Sequence, residues 1–211
     1  MAKEISMQAL QRLPLYLQYL RTLPVGKDTT ISAKALGTVL GFGEIQVRKD
    51  LSAVSDGGKP KIGYGAESLI RDIECFLGYD NLSDAVLIGA GKLGKALLSY
   101  DGFRTYGLNI VAAFDSDPLK CGTDVSGKLI LPLERMDNLC ERMKIEIGII
   151  TVPASAAQQV CDRLIRSGIK AIWNFAPTHL SVPEGVILKN ENIAASLAVL
   201  SKNLAEKERR S

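Results

Sequence analysis

Apolar residues in the first part of the chain recur every three or four positions. Residues 8–22 carry four leucines at this spacing, which predicts a first helix. These leucines are Leu10, Leu13, Leu17 and Leu20. A second helix is predicted from an N-cap at Ser32 to a stop at Gly41. The residues that we expect to face inward in it are Ala35, Leu36, Val39 and Leu40.

A third helix, over residues 44–54, follows the second after a tight glycine turn. We expect Ile45, Val47 and Leu51 to face the core. Two short helices joined in this way, with one helix before them, are typical of a helix-turn-helix. The glycine-rich basic segment 56–65 has room for a two-stranded hairpin, which we interpret as the wing of a winged helix, and a fourth amphipathic helix is predicted over residues 66–78.

From residue 85 onward, short apolar runs alternate with helical segments. This alternation predicts βαβ units and a parallel sheet. The predicted strands span residues 85–88, 110–114, 129–130, 145–151, 171–175 and 186–188. A last helix is predicted over residues 191–206, with an apolar stripe that has little of its own domain left to cover. The stripe consists of Ile193, Leu197, Leu200 and Leu204.

The predicted fold is therefore α/β with three parts. An N-terminal winged helix-turn-helix domain is expected over residues 1–80 and a Rossmann-type parallel-sheet domain over residues 81–190. Residues 191–211 form the C-terminal helix and tail. With 46% hydrophobic and 23% charged residues, the chain has the composition of a folded globular protein.

Membrane, secretion and metal signals are weak in this sequence. It contains no apolar run long enough for a membrane span, and its start lacks the apolar core of a signal peptide, so we expect a cytoplasmic protein without a membrane partner. The four cysteines are far apart, with no CxxC pair, so neither a metal site nor a disulfide framework is predicted. We expect Cys75, Cys121, Cys140 and Cys161 to be buried thiols.

Basic residues are concentrated in the first domain. Residues 1–65 hold nine Lys or Arg and five Asp or Glu, a balance of +4, while the whole chain carries +3. This excess is modest, so a DNA-binding function rests on the helix-turn-helix pattern, in which exposed polar residues of the third helix reach base edges or phosphates. The residues predicted to contact DNA are Ser32, Lys34, Gln46, Arg48, Lys49, Ser52, and, on the wing, Lys59 and Lys61.

A GxGxxG motif follows the first apolar strand of the second domain and opens a helix. In that context the three glycines permit a tight turn, close approach of a pyrophosphate and helix-to-strand packing, and the helix start supplies N–H groups. The predicted dinucleotide contacts here are Gly89, Ala90, Gly91, Lys92, Leu93 and Gly94. An empty strand-to-helix turn is the alternative interpretation.

Asp115 follows the second strand, 21 residues after Gly94. A carboxylate at this position accepts hydrogen bonds from the adenine ribose and repels a 2′-phosphate, which favours NAD(H) over NADP(H). A role in capping the turn at Asp117 and Pro118 is the alternative for this residue.

Catalytic residues are not evident. The one histidine, His179, lies in a loop after Pro177, and no YxxxK pair follows any tyrosine. Lone histidines are more often structural or solvated than catalytic. We therefore predict no catalytic residues, no enzyme activity, and a dinucleotide that acts as a signal.

Together these segments resemble the Rex family of redox-sensing repressors over nearly the whole chain. The resemblance rests on RLPLYLQYL at 12–20, ISAKALGTVLGFGEIQVRKDLS at 31–52, VLIGAGKLGKALLSYDGF at 86–103, FDSDPLKCGTDVSG at 114–127, TVPASAAQQVCDRLIRSGIKAIWNFAP at 151–177 and LSVPEGV at 180–186. It implies a homodimer that binds a palindromic operator and is released by NADH. It also implies that NADH and NAD+ are the ligands and that the last helix swaps onto the partner subunit.

The resemblance also implies roles for individual residues. Arg48 and Lys49 correspond to the major-groove readers of the family. Thr151, Pro153 and Asn174 fall where strand ends line the nicotinamide side of the site. Arg12 and Tyr100 resemble the residues that contact the swapped helix of the partner.

Two departures from the family pattern bear on the function. In the wing, Pro60 replaces the expected arginine and Lys61 a glycine. On the last helix, Asn192 stands where the family has the acidic partner of Arg12, although Glu191 is adjacent. Two other functions stay open: an NAD- or CoA-binding enzyme subunit with an appended helical domain, and a repressor whose nucleotide site is vestigial or serves another adenine ligand.

Overall fold

The computed structural model describes residues 5–24 and 29–209, without the side chain of Ile193. The chain divides into two compact units, one up to Asn81 and the other from Leu82. The first unit corresponds to the predicted DNA-binding domain. The second contains the predicted Rossmann domain and the C-terminal helix.

The first unit is built from four helices around one apolar core. The helices are α1 (Met7–Leu20), α2 (Ala33–Leu40), α3 (Glu44–Val54) and α4 (Ala66–Leu77). Their largest buried side chains are Leu13, Tyr16, Leu17, Leu20, Leu36, Leu51, Leu69 and Ile73. The hydroxyl of Ser32 caps α2 by accepting a hydrogen bond from the Ala35 N–H at 3.0 Å, and Gly41 ends it in the left-handed conformation, as expected.

Three residues that we expected to face inward are instead exposed: Ala35, Val39 and Ile45. α2 and α3 cross closely at Gly37, where a Cβ atom would lie 2.6 Å from the Phe42 carbonyl oxygen in the turn between them and 3.4 Å from Val47 Cγ2 on α3. Only one narrow face of each helix fits against its neighbour at such a crossing. Val47 and Leu51 occupy that face of α3, which leaves Ile45 69% exposed on the other side.

The wing also differs from the prediction. Strand β2 (Tyr64–Gly65) pairs with β1 (Thr30–Ile31) and not with a strand inside the wing. Within the predicted hairpin the structure has a single bridge, between Lys59 and Gly63. Gly63 lies so close to the Ile31 carbonyl that a Cβ atom would be 2.3 Å away, so this end of the segment is held against β1.

The second unit contains a seven-stranded sheet in the order β5-β6-β4-β3-β7-β8-β9. The strands are β3 (Ser83–Ile88), β4 (Leu108–Asp115), β5 (Asp124–Val125), β6 (Lys128–Pro132), β7 (Ile147–Ile150), β8 (Ala171–Asn174) and β9 (Ile187–Asn190). All neighbours are parallel except β5 with β6. Numbered among the parallel strands alone, the order is 3-2-1-4-5-6, which is the Rossmann arrangement. The predicted fold class is confirmed.

Helices of the second unit connect these strands. They are α5 (Lys92–Leu98), α6 (Met136–Met143) and α7 (Ala154–Arg166), with short 3-10 helices at Asp101–Tyr106 and Leu133–Arg135. The predicted strands match six of the seven, and the edge strand β5 was not predicted. Cys140 and Cys161 are buried as expected, and burial raises the pKa of the Cys140 thiol to about 11. Cys75 is exposed, contrary to expectation, because α4 buries its Leu69 and Ile73 side instead.

The last helix, α8 (Ile193–Glu208), begins with the side chain of Asn192, which accepts a hydrogen bond from the Ala195 N–H at 2.9 Å. Residues 194–209 are all exposed. Leu197, Leu200 and Leu204 are 61%, 66% and 58% exposed, so this stripe is not covered within its own unit. Across the described residues, no helix has the length and apolarity to cross a membrane.

Candidate functional site

A cavity of about 730 Å³ opens at the carboxyl ends of β3, β4 and β7 in the second unit. This is the point at which the strand order reverses, where Rossmann domains bind ligands. Six of the predicted dinucleotide residues line the cavity: Gly89, Gly91, Leu93, Asp115, Thr151 and Pro153. The other four predicted contacts, Ala90, Lys92, Gly94 and Asn174, do not.

The glycine loop has the geometry that its motif predicts. Gly89 has a φ of +102°, and a Cβ atom on it would lie 2.9 Å from the Thr151 carbonyl carbon. A Cβ atom on Gly94 would lie 2.0 Å from the Gly89 carbonyl oxygen, so no side chain fits there. Nothing lies within 4 Å of a Cβ position on Gly91, which leaves its backbone open to the cavity.

Asp115 is nearly buried, with 7% of its surface exposed, and it is densely hydrogen-bonded. Its Oδ2 accepts from the Ala90 N–H at 2.8 Å, and its Oδ1 accepts from the Asp117 N–H at 2.9 Å. The Lys120 ammonium lies 3.2 Å from Oδ1 and 3.1 Å from Oδ2. Burial raises the pKa of this carboxyl, but the bonds from Asp117, Lys120 and Ala90 outweigh that effect and hold the pKa below its usual range.

Thr151 and Asn174 form hydrogen bonds that hold backbone segments around the cavity in place. The Thr151 hydroxyl donates to the Gly89 carbonyl at 2.7 Å and so ties the end of β7 to the glycine loop. The side-chain amide of Asn174 is fully buried and donates to Asn190 Oδ1 at 2.8 Å and to the Thr178 carbonyl at 3.1 Å. Its Oδ1 accepts from the Ala176 N–H at 2.9 Å. Asn174 therefore orders the loop after β8.

Several residues that line the cavity were missed by the sequence analysis. They include Lys120, Leu133, Val152, Gln159, Arg163, Arg166 and Phe175. Lys120 lies inside the FDSDPLKCG segment, five residues after Asp115, so its chemistry and spacing were a usable signal. Arg163 lies on α7, and its guanidinium donates to Asp137 on α6 at 2.8 Å; nothing in the sequence pairs those two positions.

Aromatic rings extend from the cavity to the surface of the second unit. Phe175 lines the cavity, and its ring centroid lies 4.8 Å from that of Trp173. Phe103 follows at 5.7 Å from Trp173, and Tyr100 at 4.9 Å from Phe103. Tyr100 is 52% exposed. The Trp173 Nε1–H donates to Glu191 Oε1 at 2.9 Å, next to the residue that caps α8.

The predicted DNA-contacting residues of the first unit are exposed. They are Ser32 at the cap of α2, Lys34 on α2, Gln46, Arg48, Lys49 and Ser52 on α3, and Lys59 and Lys61 in the wing. Arg48 forms an ion pair with Glu44 one turn earlier. Val47, Asp50 and Leu51 are buried on the opposite side of α3, so the helix presents its polar side outward.

Arg12, which we expected at an intersubunit contact, binds within its own unit. Its Nε and a terminal nitrogen donate to the two oxygens of Asp50 at 2.7 and 2.9 Å. The Tyr16 hydroxyl donates to the same carboxylate at 2.7 Å. Burial and this bond raise the pKa of Tyr16 far above its usual value, and the bond to Asp50 raises the pKa of Arg12. No cluster of three metal-ligating side chains occurs in residues 5–24 and 29–209.

Two protein-family models match parts of this chain. Residues 4–52 match the family model "Putative DNA-binding protein N-terminus", and residues 80–178 match "CoA binding domain". The chain is 41% identical to the redox-sensing transcriptional repressor Rex of Clostridium beijerinckii, with 98% of each chain covered.

Two solved structures of a Rex-family repressor called RSP are similar over 98% of this chain. One, of RSP with beta-NAD+ and operator DNA, has a TM-score of 0.90, 37% identity and 95% of its own chain covered. The other, of RSP with beta-NADH, has a TM-score of 0.87, 36% identity and 97% of its chain covered. At this identity and coverage, the chain belongs to the Rex family of redox-sensing transcriptional repressors.

Proposed function

We propose that this chain is a transcriptional repressor controlled by a dinucleotide. It binds NADH and NAD+ in the cavity of the Rossmann domain, and it binds operator DNA through α3 and the wing. NADH lowers its affinity for the operator. The ligand assignment rests on Gly91, whose backbone is open to the cavity. It lies between Gly89 and Gly94, at which a side chain would clash with neighbouring atoms. A pyrophosphate can approach the backbone closely at Gly91. RSP, which is similar along its length, has been solved with beta-NAD+ and with beta-NADH.

The ten predicted cofactor residues divide into two roles in this proposal. Gly89, Gly91, Leu93, Asp115, Thr151 and Pro153 contact the ligand. Ala90, Lys92, Gly94 and Asn174 shape the walls without lining the cavity. Phe175 and Pro177 lie after β8 and close the nicotinamide side, while Asp115 and Lys120 mark the adenosine side.

The DNA-binding role rests on the outward side of α3. Arg48 and Lys49 are exposed there, opposite the buried Val47 and Leu51, so they can enter a major groove while the helix stays packed. Lys59 and Lys61 on the wing reach flanking phosphates or the minor groove. The natural target is double-stranded operator DNA, and RSP has been solved bound to such DNA.

The uncovered stripe on α8 indicates a homodimer. Leu197, Leu200 and Leu204 are each more than half exposed, and exposed apolar stripes of this kind mark association surfaces. We propose that α8 swaps onto a second copy of the chain, which pairs two α3 helices with a palindromic operator. We keep residues 1–80, 81–190 and 191–211 as the proposed limits of the three parts of the chain.

A repressor that binds DNA acts where the DNA is, so we also propose a cytoplasmic location.

Switching, in this proposal, involves Arg12, Tyr100 and Asn192 across the dimer. Tyr100 ends the ring series that starts in the cavity, and Asn192 begins α8. Arg12 is bound to Asp50 on α3, so a competing contact to Arg12 from the partner subunit would act directly on the DNA-reading helix.

Fluorescence anisotropy of labelled operator tests the proposal. Protein is titrated into the DNA at several NADH to NAD+ ratios with total dinucleotide constant, and calorimetry measures dinucleotide binding separately. We expect weaker operator binding as the NADH fraction rises. Tight DNA binding without any dinucleotide binding would show that the cavity is vestigial.

A further inference from the structure

The carboxylate of Asp115 has no free acceptor position in this structure. A carboxylate offers about four lone-pair directions on its two oxygens. The Ala90 N–H, the Asp117 N–H and the Lys120 ammonium make four contacts of 2.8 to 3.2 Å with those oxygens. A ribose hydroxyl that donates to Asp115 must therefore displace one of these donors.

Lys120 is the donor that can leave. The other two are backbone N–H groups, which are held by the glycine loop and by the turn after β4. Lys120 is a flexible side chain that is 35% exposed and lines the same cavity. Its ammonium also lies 3.7 Å from Asp117 Oδ2, so it has a second carboxylate within reach.

We infer that Lys120 is a specificity-determining residue of this site. When NADH binds, Lys120 moves away from Asp115, and the ribose hydroxyls donate to the carboxylate in its place. When a 2′-phosphorylated dinucleotide binds, the Lys120 ammonium binds the ribose phosphate. This inference rests on the dinucleotide role proposed above. An unpaired carboxylate at this position repels a 2′-phosphate. A cation 3.1 Å from that carboxylate offsets the repulsion and supplies a donor for the phosphate.

Other charges on the cavity wall favour the same direction. Arg163 and Arg166 on α7 line the cavity together with Lys120, against Asp115 and Asp117. Arg163 is held by Asp137, while Arg166 is exposed. With Arg163 neutralised by Asp137, the two remaining cations balance Asp115 and Asp117, so the wall as a whole has no net negative charge that would repel an added phosphate. Discrimination against NADPH therefore depends on how far attraction by Lys120 offsets the repulsion between Asp115 and the 2′-phosphate.

The test is calorimetric titration of NADH and NADPH into the full-length protein and its Lys120→Met and Lys120→Arg variants. The wild type should prefer NADH by a modest factor. In Lys120→Met, loss of one charge-assisted hydrogen bond should weaken NADPH by about tenfold or more, while NADH binding stays equal or tightens. Lys120→Arg keeps the charge and should retain NADPH binding.

A second variant separates direct contact from an effect through Asp115. In Asp115→Asn, the affinity for NADPH should rise relative to the affinity for NADH. If the Lys120 ammonium contacts the phosphate, adding Lys120→Met should remove that rise. Lys95→Met, on the exposed side of α5 and outside the cavity lining, is the matched control and should change neither affinity.

Three outcomes decide the question. If Lys120→Met weakens NADH and NADPH equally, Lys120 merely supports Asp115 and the inference is wrong. If Lys120→Met leaves both affinities unchanged, the inference is also wrong, while the dinucleotide proposal stays intact. If the wild type binds neither nucleotide, the proposed function itself fails and this inference falls with it.

Discussion

Arg12 on α1 donates hydrogen bonds to both carboxylate oxygens of Asp50 on α3, at 2.7 and 2.9 Å. Asp50 directly follows Arg48 and Lys49 in the chain, so this pair sets the rotation at which α3 presents them. The Arg12 guanidinium also lies 5.9 Å from the ring centroid of Phe42, in the turn between α2 and α3. One side chain thus joins three parts of the helix-turn-helix.

Breaking this pair should destabilise the first unit. Arg12→Ala leaves the nearly buried Asp50 carboxylate with the Tyr16 hydroxyl as its side-chain donor, and removing one member of a buried pair costs about 3–5 kcal/mol. Denaturant unfolding followed by circular dichroism measures the loss. Arg21→Ala, which breaks a half-exposed pair with Glu74, is the control and should cost about 1 kcal/mol or less. Equal losses in the two variants would contradict the central role of Arg12.

The recognition-helix prediction concerns Arg48 and Lys49. Each substitution to alanine should weaken operator binding by about 1–3 kcal/mol, the value of one good base contact. Both residues are exposed, so thermal stability and NADH affinity should not change. Anisotropy with labelled operator gives the DNA affinity, and calorimetry gives the NADH affinity. Unchanged DNA binding in both variants would remove α3 from the interface.

Substitution of Lys61 in the wing distinguishes the effect of backbone strain on stability from the effect of side-chain charge on DNA binding. Its φ is +65°, a left-handed conformation that costs a residue with a side chain roughly 1 kcal/mol relative to glycine. Lys61→Gly should therefore raise the melting temperature slightly while it weakens operator binding. Lys59→Gly is the matched control, since Lys59 has no such strain and a new glycine there adds only unfolded-state entropy. It should lower both stability and DNA binding; a stability gain in both variants would contradict this account of Lys61.

Most of the fold could be predicted from the sequence, because caps and strand-to-helix alternation are local signals. Ser32, Gly41 and the GxGxxG loop were placed correctly for that reason. The errors have a tertiary cause: Ile45 is exposed because α3 packs into the core through Val47 and Leu51, and the wing has a single antiparallel bridge because Tyr64 and Gly65 pair with β1. Periodicity cannot report such contacts.

The candidate site shows the same division between local and tertiary information. Asp115 and the glycines were found from spacing alone. The pairing of Lys120 with Asp115 depends on how the turn at Asp117 folds back, and Arg163 enters the cavity from a helix that begins about 40 residues later. Asn174 was placed on a correct strand end, but its fully buried side chain serves the neighbouring loop.

The C-terminal helix should be required for assembly. Truncation before Glu191 removes the exposed Leu197, Leu200 and Leu204 stripe, together with the acceptor of the Trp173 indole. We expect monomers or aggregates and weak operator binding, measured by sedimentation velocity and anisotropy. Because truncation could also disturb the fold, Leu197→Ser with Leu200→Ser tests the stripe alone, and Lys202→Ser is its control. A truncated protein that stays dimeric and binds DNA normally would refute the swapped-helix proposal.

The last prediction concerns the coupling between dinucleotide and DNA. Couplings of this kind amount to about 1–3 kcal/mol, or roughly 5-fold to 150-fold in affinity. Asn192 is neutral and holds a guanidinium less strongly than a carboxylate would, so we expect NADH to weaken operator binding by a factor near the lower limit. Asn192→Asp keeps the cap on the Ala195 N–H, because aspartate is an equally good N-cap and favours the helix dipole. In the proposed swapped dimer it would also offer Arg12 a second carboxylate, which would compete with Asp50. The substitution should therefore enlarge the NADH response more than it changes DNA affinity without nucleotide, as measured by operator anisotropy across NADH to NAD+ ratios. Asn192→Ser, which keeps a capping oxygen without the charge, should leave the response as in the wild type, and identical curves for all three proteins would exclude this contact from the switch.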